Sequence, residues 1–215
     1  ISPPLGNYSG PNAGCVYVLS LRDKAALQAA IASGQGPWDL EKKNASGVFV
    51  GVPGVAAVIV RGPLVHGWFG HSIAGPGNVA FDGTRDLLVG APSSGISLPM
   101  NPGKLYVVDG QALATALAVL ATGQVGVLAL DTSNHVVLAP TLPVGGVADP
   151  EDRYGYSVAG VGDIDGDGRN EFAAGGIQGY WDCDQAPHVW VLPGAGFVEV
   201  VGLGATGSVT LAARL

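Results

Sequence analysis

Nine residues, Asp163-Ile164-Asp165-Gly166-Asp167-Gly168-Arg169-Asn170-Glu171, carry four carboxylates in the pattern D-x-D-x-D-G-x-x-E. Four like charges that close repel one another unless a cation sits among them. A hard divalent cation such as calcium takes oxygen ligands and tolerates irregular loop geometry. In this reading Asp163, Asp165 and Asp167 supply side-chain oxygens from positions 1, 3 and 5. Gly168 allows the sharp turn, the Arg169 carbonyl is the main-chain ligand, and Glu171 closes the site from position 9. The plainer alternative is an Asp/Gly-rich surface turn without an ion, and four acids at this spacing favour the metal. An EF-hand opens in the same way but needs a Glu at position 12 and a helix on each side. Position 12 is Ala174, and the flanks 156–160 and 172–176 are short runs punctuated by glycine. Such flanks suit strands, so the expectation is a calcium loop in a β-hairpin.

Other residue groups compete for attention. Gly70-His71-Ser72-Ile73-Ala74 resembles a nucleophile elbow, but the segment lacks the strand-turn-helix setting that an elbow requires. His66 and His71, five residues apart, are a possible metal pair, although surface or core filling is the commoner role. Trp68, Trp181 and Trp190 are candidates for a sugar-stacking surface, with packing anchors as the favoured alternative. No catalytic residue is expected in the chain.

The elements that must position the acidic loop belong to a repeat. Phe69-Gly70-His71-Ser72-Ile73-Ala74-Gly75 matches Tyr154-Gly155-Tyr156-Ser157-Val158-Ala159-Gly160, and Asp82, Gly83 and Asp86 match Asp167, Gly168 and Glu171. Leu88-Val89-Gly90-Ala91-Pro92 matches Ala173-Ala174-Gly175-Gly176-Ile177, all at an offset of 85 residues without a gap. Ser72 thus recurs as Ser157, which marks it as a structural part of the repeat. A third element joins the period: Gly14–Leu19, Gly103–Val108 and Pro187–Leu192 each read as a short apolar strand with an aromatic at the same place. Pro3 precedes Tyr17 by the same 14 residues that separate Pro92 from Tyr106, so Ser2-Pro3 reads as the remnant of a turn and the chain as opening mid-repeat. The equivalent first loop, 78–86, has Ala80 at position 3 and only two carboxylates, with Asn78 as a neutral ligand and Arg85 nearby. It is expected to keep the turn and bind calcium weakly or not at all.

Phe69-Gly70 followed by Gly90-Ala91-Pro92, with an acidic loop between, resembles the FG-GAP repeat of integrin α-subunit β-propellers. The likeness covers roughly 67–108 and 152–192, with a partial match at 1–19; the second copy departs with Tyr154 for Phe and Gly176-Ile177 for Ala-Pro. The resemblance implies an all-β fold, a partial β-propeller of four-stranded antiparallel blades. It also implies calcium in the loop between the first two strands of some blades, at Asp163, Asp165, Asp167, Arg169 and Glu171. The family usually ends that loop with Asp, and Glu171 is longer.

Composition agrees with a turn-rich globular chain: 215 residues, 35 Gly, 15 Pro, 47% hydrophobic and 13% charged. The net charge of −7 is local, because residues 149–184 hold nine of the 17 acids and two bases. The remainder is balanced, and no basic stripe favours nucleic acid. No run of 18 apolar residues encodes a transmembrane helix. Ile1-Ser2-Pro3-Pro4 reads as mid-domain, not as a signal peptide. Cys15 and Cys183 are too few for a disulfide framework and fall on different repeats, so they are not expected to pair. Asn7 and Asn44 open glycosylation sequons. Alanine-rich segments 21–32 and 111–122 are expected as a recurrent helical insertion, with loops at 33–47 and 94–103.

The combined reading is one propeller segment, with a partial blade at 1–60, a blade at 61–145 and a blade at 146–215. Its expected role is a calcium-stabilised extracellular or cell-surface module for ligand binding or adhesion, with a protein or glycan ligand. Further blades from a parent chain or a partner would complete it. The alternative is the non-catalytic propeller region of a secreted hydrolase, phospholipase D-like or polysaccharide-degrading.

Overall fold

The computed structural model describes residues 13–79, 83–93, 102–140, 152–177, 180–182, 189–191, 196–204 and 208–214, and of 180–182, 189–191 and 210–214 the backbone alone. Ser2-Pro3, Asn7, Ala80, Asp82, most of the 94–103 loop, Cys183 and Pro187-His188 lie outside the described residues.

The chain is mostly β. In order the elements are β1 (Cys15–Leu21), α1 (Lys24–Ala32), β2 (Val55–Arg61), β3 (Ser72–Gly77), β4 (Asp86–Ala91), β5 (Lys104–Val108) and α2 (Gly110–Ala118). They continue with β6 (Val125–Ala129), β7 (His135–Leu138), β8 (Ser157–Gly162), β9 (Glu171–Gly176), β10 (Tyr180–Asp182), β11 (Val189–Val191), β12 (Phe197–Leu203) and β13 (Val209–Arg214). Two four-stranded antiparallel sheets have the orders β3-β4-β5-β7 and β8-β9-β12-β13. A third sheet, β1-β2-β6, is mixed, and β10-β11 form a separate ribbon.

Alternation along each strand builds the core. Val16, Val58 and Val60 of the mixed sheet pack with Phe69, Val89, Tyr106 and Val108, and Leu113 of α2 joins them. The opposite face of the β3-β4-β5-β7 sheet sends Leu88, Leu105, Val107 and Leu138 against Phe172, Ala174, Phe197, Val201 and Leu203. The middle sheet is therefore buried on both faces. Its β4 and β5 read as nearly unbroken apolar runs, as strands covered on both sides do.

Both helices form where alanine content places them, at 24–32 and 110–118. Each starts at an aspartate cap: Asp23 accepts from the Ala26 N–H at 2.9 Å and Asp109 from the Gln111 N–H at 2.8 Å.

The 85-residue offset recurs in the backbone. The His71 N–H bonds to the Trp68 carbonyl at 3.0 Å and the Tyr156 N–H to the Arg153 carbonyl at 3.1 Å. Trp68 and Arg153 share a left-handed conformation, with φ of 54° and 47°. Phe69 and Tyr154 make parallel bridges to Gly14 and Gly103. Each repeat thus hooks its opening turn onto the start of a strand in the sheet region before it.

Two expectations need correction. The strand expected within 187–192 forms at Val189–Val191, but its equivalence to β5 does not hold: it pairs with Tyr180–Asp182, and Phe197–Leu203 takes the place beside β9 that β5 takes beside β4. Both segments are short and apolar, so pattern alone does not choose between them. Antiparallel pairing is also not universal, because β2 and β6 run parallel. The buried strand β2 needs hydrogen-bond partners on both edges, and the second arrives only after α2 has carried the chain back.

Candidate metal centre

The acidic loop joins β8 to β9, as expected, with one frame around it and its counterpart between β3 and β4. Gly77 and Gly162 precede the two loops with φ of 92° and 86°, and Gly83 and Gly168 both turn within them at 88°. A residue with a Cβ is strained at such angles. The loop backbone is then held by its own acids. Asp163 Oδ1 accepts from the Gly166 N–H at 2.7 Å and Oδ2 from the Gly168 N–H at 3.0 Å. Asp165 Oδ1 accepts from the Asp167 N–H at 3.1 Å, and Glu171 Oε2 from the Ile164 N–H at 2.7 Å. Side chains bonding to amides a few residues on is the usual way Asp organises a turn.

These bonds bring three carboxylates together. One oxygen from each of Asp163, Asp165 and Glu171 lies within 4.8 Å of the others. Asp163 and Asp165 are exposed, whereas Glu171 is buried. The second oxygens of Asp165 and Glu171 carry no hydrogen bond among the described residues. Three like charges at this separation repel, by about 1 kcal/mol per pair even at the dielectric of water. The donor set is oxygen only, with a buried anchor and two solvent-facing arms, and it fits a hard divalent cation.

Asp167 stands apart from that group. Its Oδ2 pairs with Arg169 Nη1 at 3.2 Å, and its Oδ1 accepts from the Arg169 N–H at 2.8 Å. Both side chains are partly exposed, and such a pair contributes about 0–1 kcal/mol. A cation competing for Asp167 would meet little resistance.

Asn170 is a residue that the sequence pattern did not single out. Its Nδ2 donates to the Pro76 carbonyl at 2.7 Å and its N–H to the Asn78 carbonyl at 2.6 Å. It ties the acidic loop to the neighbouring hairpin, and the aligned residue in that hairpin's own loop is Arg85. Glu199 was likewise unforeseen. It is fully buried on β12, in the register place that Tyr106 takes on β5. Burial first, and then the charge of Glu199 and a hydrogen bond to it, push the Tyr154 hydroxyl well above its ordinary range. In the other repeat Phe69 meets Tyr106 edge-on at 5.2 Å. The departure from Phe at 154 was the one sequence signal of this exchange.

The remaining candidates resolve as follows. Ser72 Oγ donates to the Gly155 carbonyl at 2.8 Å, so it stitches one repeat to the next. The His71 ring lies 4.6 Å from Tyr156 and 6.2 Å from Trp68. Burial, then the nearby Arg153 charge, lowers its pKa from 6.5. Neither His71 nor His66 joins a group of three metal-ligating side chains among the described residues. Trp181 and Trp190 stand opposite one another in the β10-β11 ribbon. Cys15 is a buried free thiol whose pKa burial pushes up. No helix among the described residues is long and apolar enough to cross a membrane. Comparison of the chain with protein-family models and with curated proteins returns no significant match.

Proposed function

We propose that this chain is a segment of an FG-GAP-type β-propeller, a calcium-stabilised module for ligand binding or adhesion outside the cell or at its surface. The observation that carries the reading is the convergence of Asp163, Asp165 and Glu171 within 4.8 Å, in a hairpin loop whose frame recurs 85 residues earlier. The stacking of the middle sheet between two neighbours supports the repeat architecture, since such units bury their cores against one another. Asp163, Asp165 and Glu171 would hold the ion, with Asp167 and the Arg169 carbonyl as the further oxygens that the repeat pattern offers. Calcium neutralises the loop and so stiffens the turn; extracellular calcium modules work at about 10⁻⁴–10⁻³ M, where a loop of modest preorganisation suffices.

The test is calorimetric titration of the full chain with calcium, with magnesium in parallel, and a thermal melt with and without chelator. Calcium uptake near one equivalent with a higher melting temperature is expected, because a ligand bound only to the native state stabilises it. A folded sample that takes up no calcium would sink the reading.

A further inference from the structure

The mixed sheet has a second face. Val16, Val58 and Val60 point into the core shared with the middle sheet. Cys15, Ala57, Ile59 and Val125 point the other way, with Tyr17, Leu40 and Phe49 packed against them. Residues 36–50 cross this outer face as a strap. Between strap and strand lies an open cleft of 260 Å³ lined by Tyr17, Trp38, Asp39 and Leu40.

The Tyr17 ring is anchored at its hydroxyl. The Tyr17 hydroxyl donates to Glu41, and Tyr17 is also hydrogen-bonded to Cys15. The half-buried Trp38 ring lies beside Gly36, with room for a Cβ at 3.5 Å from the ring. Asp39 Oδ1 accepts from the Glu41 N–H at 2.9 Å, which fixes the carboxylate at the cleft wall. The charges nearby are mixed: Asp39 and Glu41 stand beside Lys42 and Lys43 in the sequence, and Arg61 acts on Glu41 from the strand.

Two aromatic rings and a carboxylate match the chemistry of a sugar. The C–H face of a pyranose stacks on an aromatic ring, and its hydroxyls donate to a carboxylate, which only accepts. The volume falls below the roughly 300–1,000 Å³ of sites for drug-sized ligands, which suits one sugar ring with its neighbours in solvent. An ammonium ion would also be drawn to rings and carboxylates, but Lys42, Lys43 and Arg61 weigh against it. We propose that the cleft between Tyr17 and Trp38 binds a single neutral pyranose residue, with Asp39 accepting its hydroxyl protons. The site is independent of the calcium reading, since none of its residues belongs to the 163–171 loop.

The experiment titrates the full chain with the methyl glycosides of glucose, galactose, mannose and N-acetylglucosamine. Tryptophan fluorescence and saturation-transfer NMR are the readouts, and tetramethylammonium is the cationic control. At least one glycoside should bind saturably in the millimolar range. Trp38→Ala and Asp39→Asn should each weaken it at least tenfold at an unchanged melting temperature. Tyr17→Phe keeps the ring and should stay within threefold of the parent protein. Binding that survives both Trp38→Ala and Asp39→Asn would overturn the assignment, as would tetramethylammonium binding in place of every glycoside. Four glycosides without effect on the folded parent protein would overturn it too.

Discussion

Asp86 and Glu171 close equivalent turns, and each accepts a hydrogen bond from the equivalent amide, Val79 at 2.9 Å and Ile164 at 2.7 Å. Asp86 then spends its second oxygen on the N–H of Gly110, the first residue of α2, at 3.1 Å. Among the described residues no helix starts against Glu171, and the insertion in its sheet is the β10-β11 ribbon, placed one strand earlier. One of the Glu171 oxygens lies within 4.8 Å of oxygens from Asp163 and Asp165. The same position in one repeat therefore anchors a helix and in the other anchors a candidate cation site. What decides between these roles is the neighbouring insertion together with one methylene of side-chain length. Asn78, which aligns with Asp163, holds a buried Oδ1 without a hydrogen-bond partner among the described residues.

The largest effect is expected where the two loops differ most in charge. Asp165→Ala should abolish the calcium-dependent rise in melting temperature, a loss of about 2.7 kcal/mol at a hundredfold excess over the dissociation constant. Ala80→Asp, the reciprocal change, should raise calcium affinity in the first loop if its turn is already formed. Calorimetry of both variants decides the matter, and unchanged stoichiometry in both would break the comparison.

A second contrast lies in the pairs Phe69–Tyr106 and Tyr154–Glu199. Tyr154→Phe removes a donor from a fully buried carboxylate and should cost about 1–3 kcal/mol in urea unfolding. Combining it with Glu199→Tyr rebuilds the aromatic pair of the other repeat and should recover part of that loss. A double variant no more stable than Tyr154→Phe would show that the two pairs are not interchangeable.

The smallest effect concerns His71, whose aligned partner is Tyr156. A pKa lowered from 6.5 in the folded state means that the unfolded chain binds the proton more readily. Stability from this group is present above about pH 6.5 and is lost as pH falls through the folded value. Melting curves at fixed calcium should show a shallow decline on acidification that His71→Gln removes. An identical slope in the variant would assign the decline to other groups.

Much of this was legible in the chain itself. Nine residues announced the loop, the 85-residue offset announced its frame, and alanine content announced both helices. These signals are local, because turns and periodicity act within a few residues of one another. The rest depended on what lies across space. Val189–Val191 and Phe197–Leu203 carry the same kind of apolar pattern, and only competition for the edge of β9 separates them. A glutamate on a strand reads as solvent-facing until Tyr154 supplies its partner in the core. Asp167 belongs to the acidic pattern in sequence, yet its carboxylate pairs with Arg169. Sequence by itself determined which residues could form the turns and offer the oxygens. Tertiary structure alone decided which oxygens meet, because side-chain choices are settled by neighbours that the chain brings together only on folding.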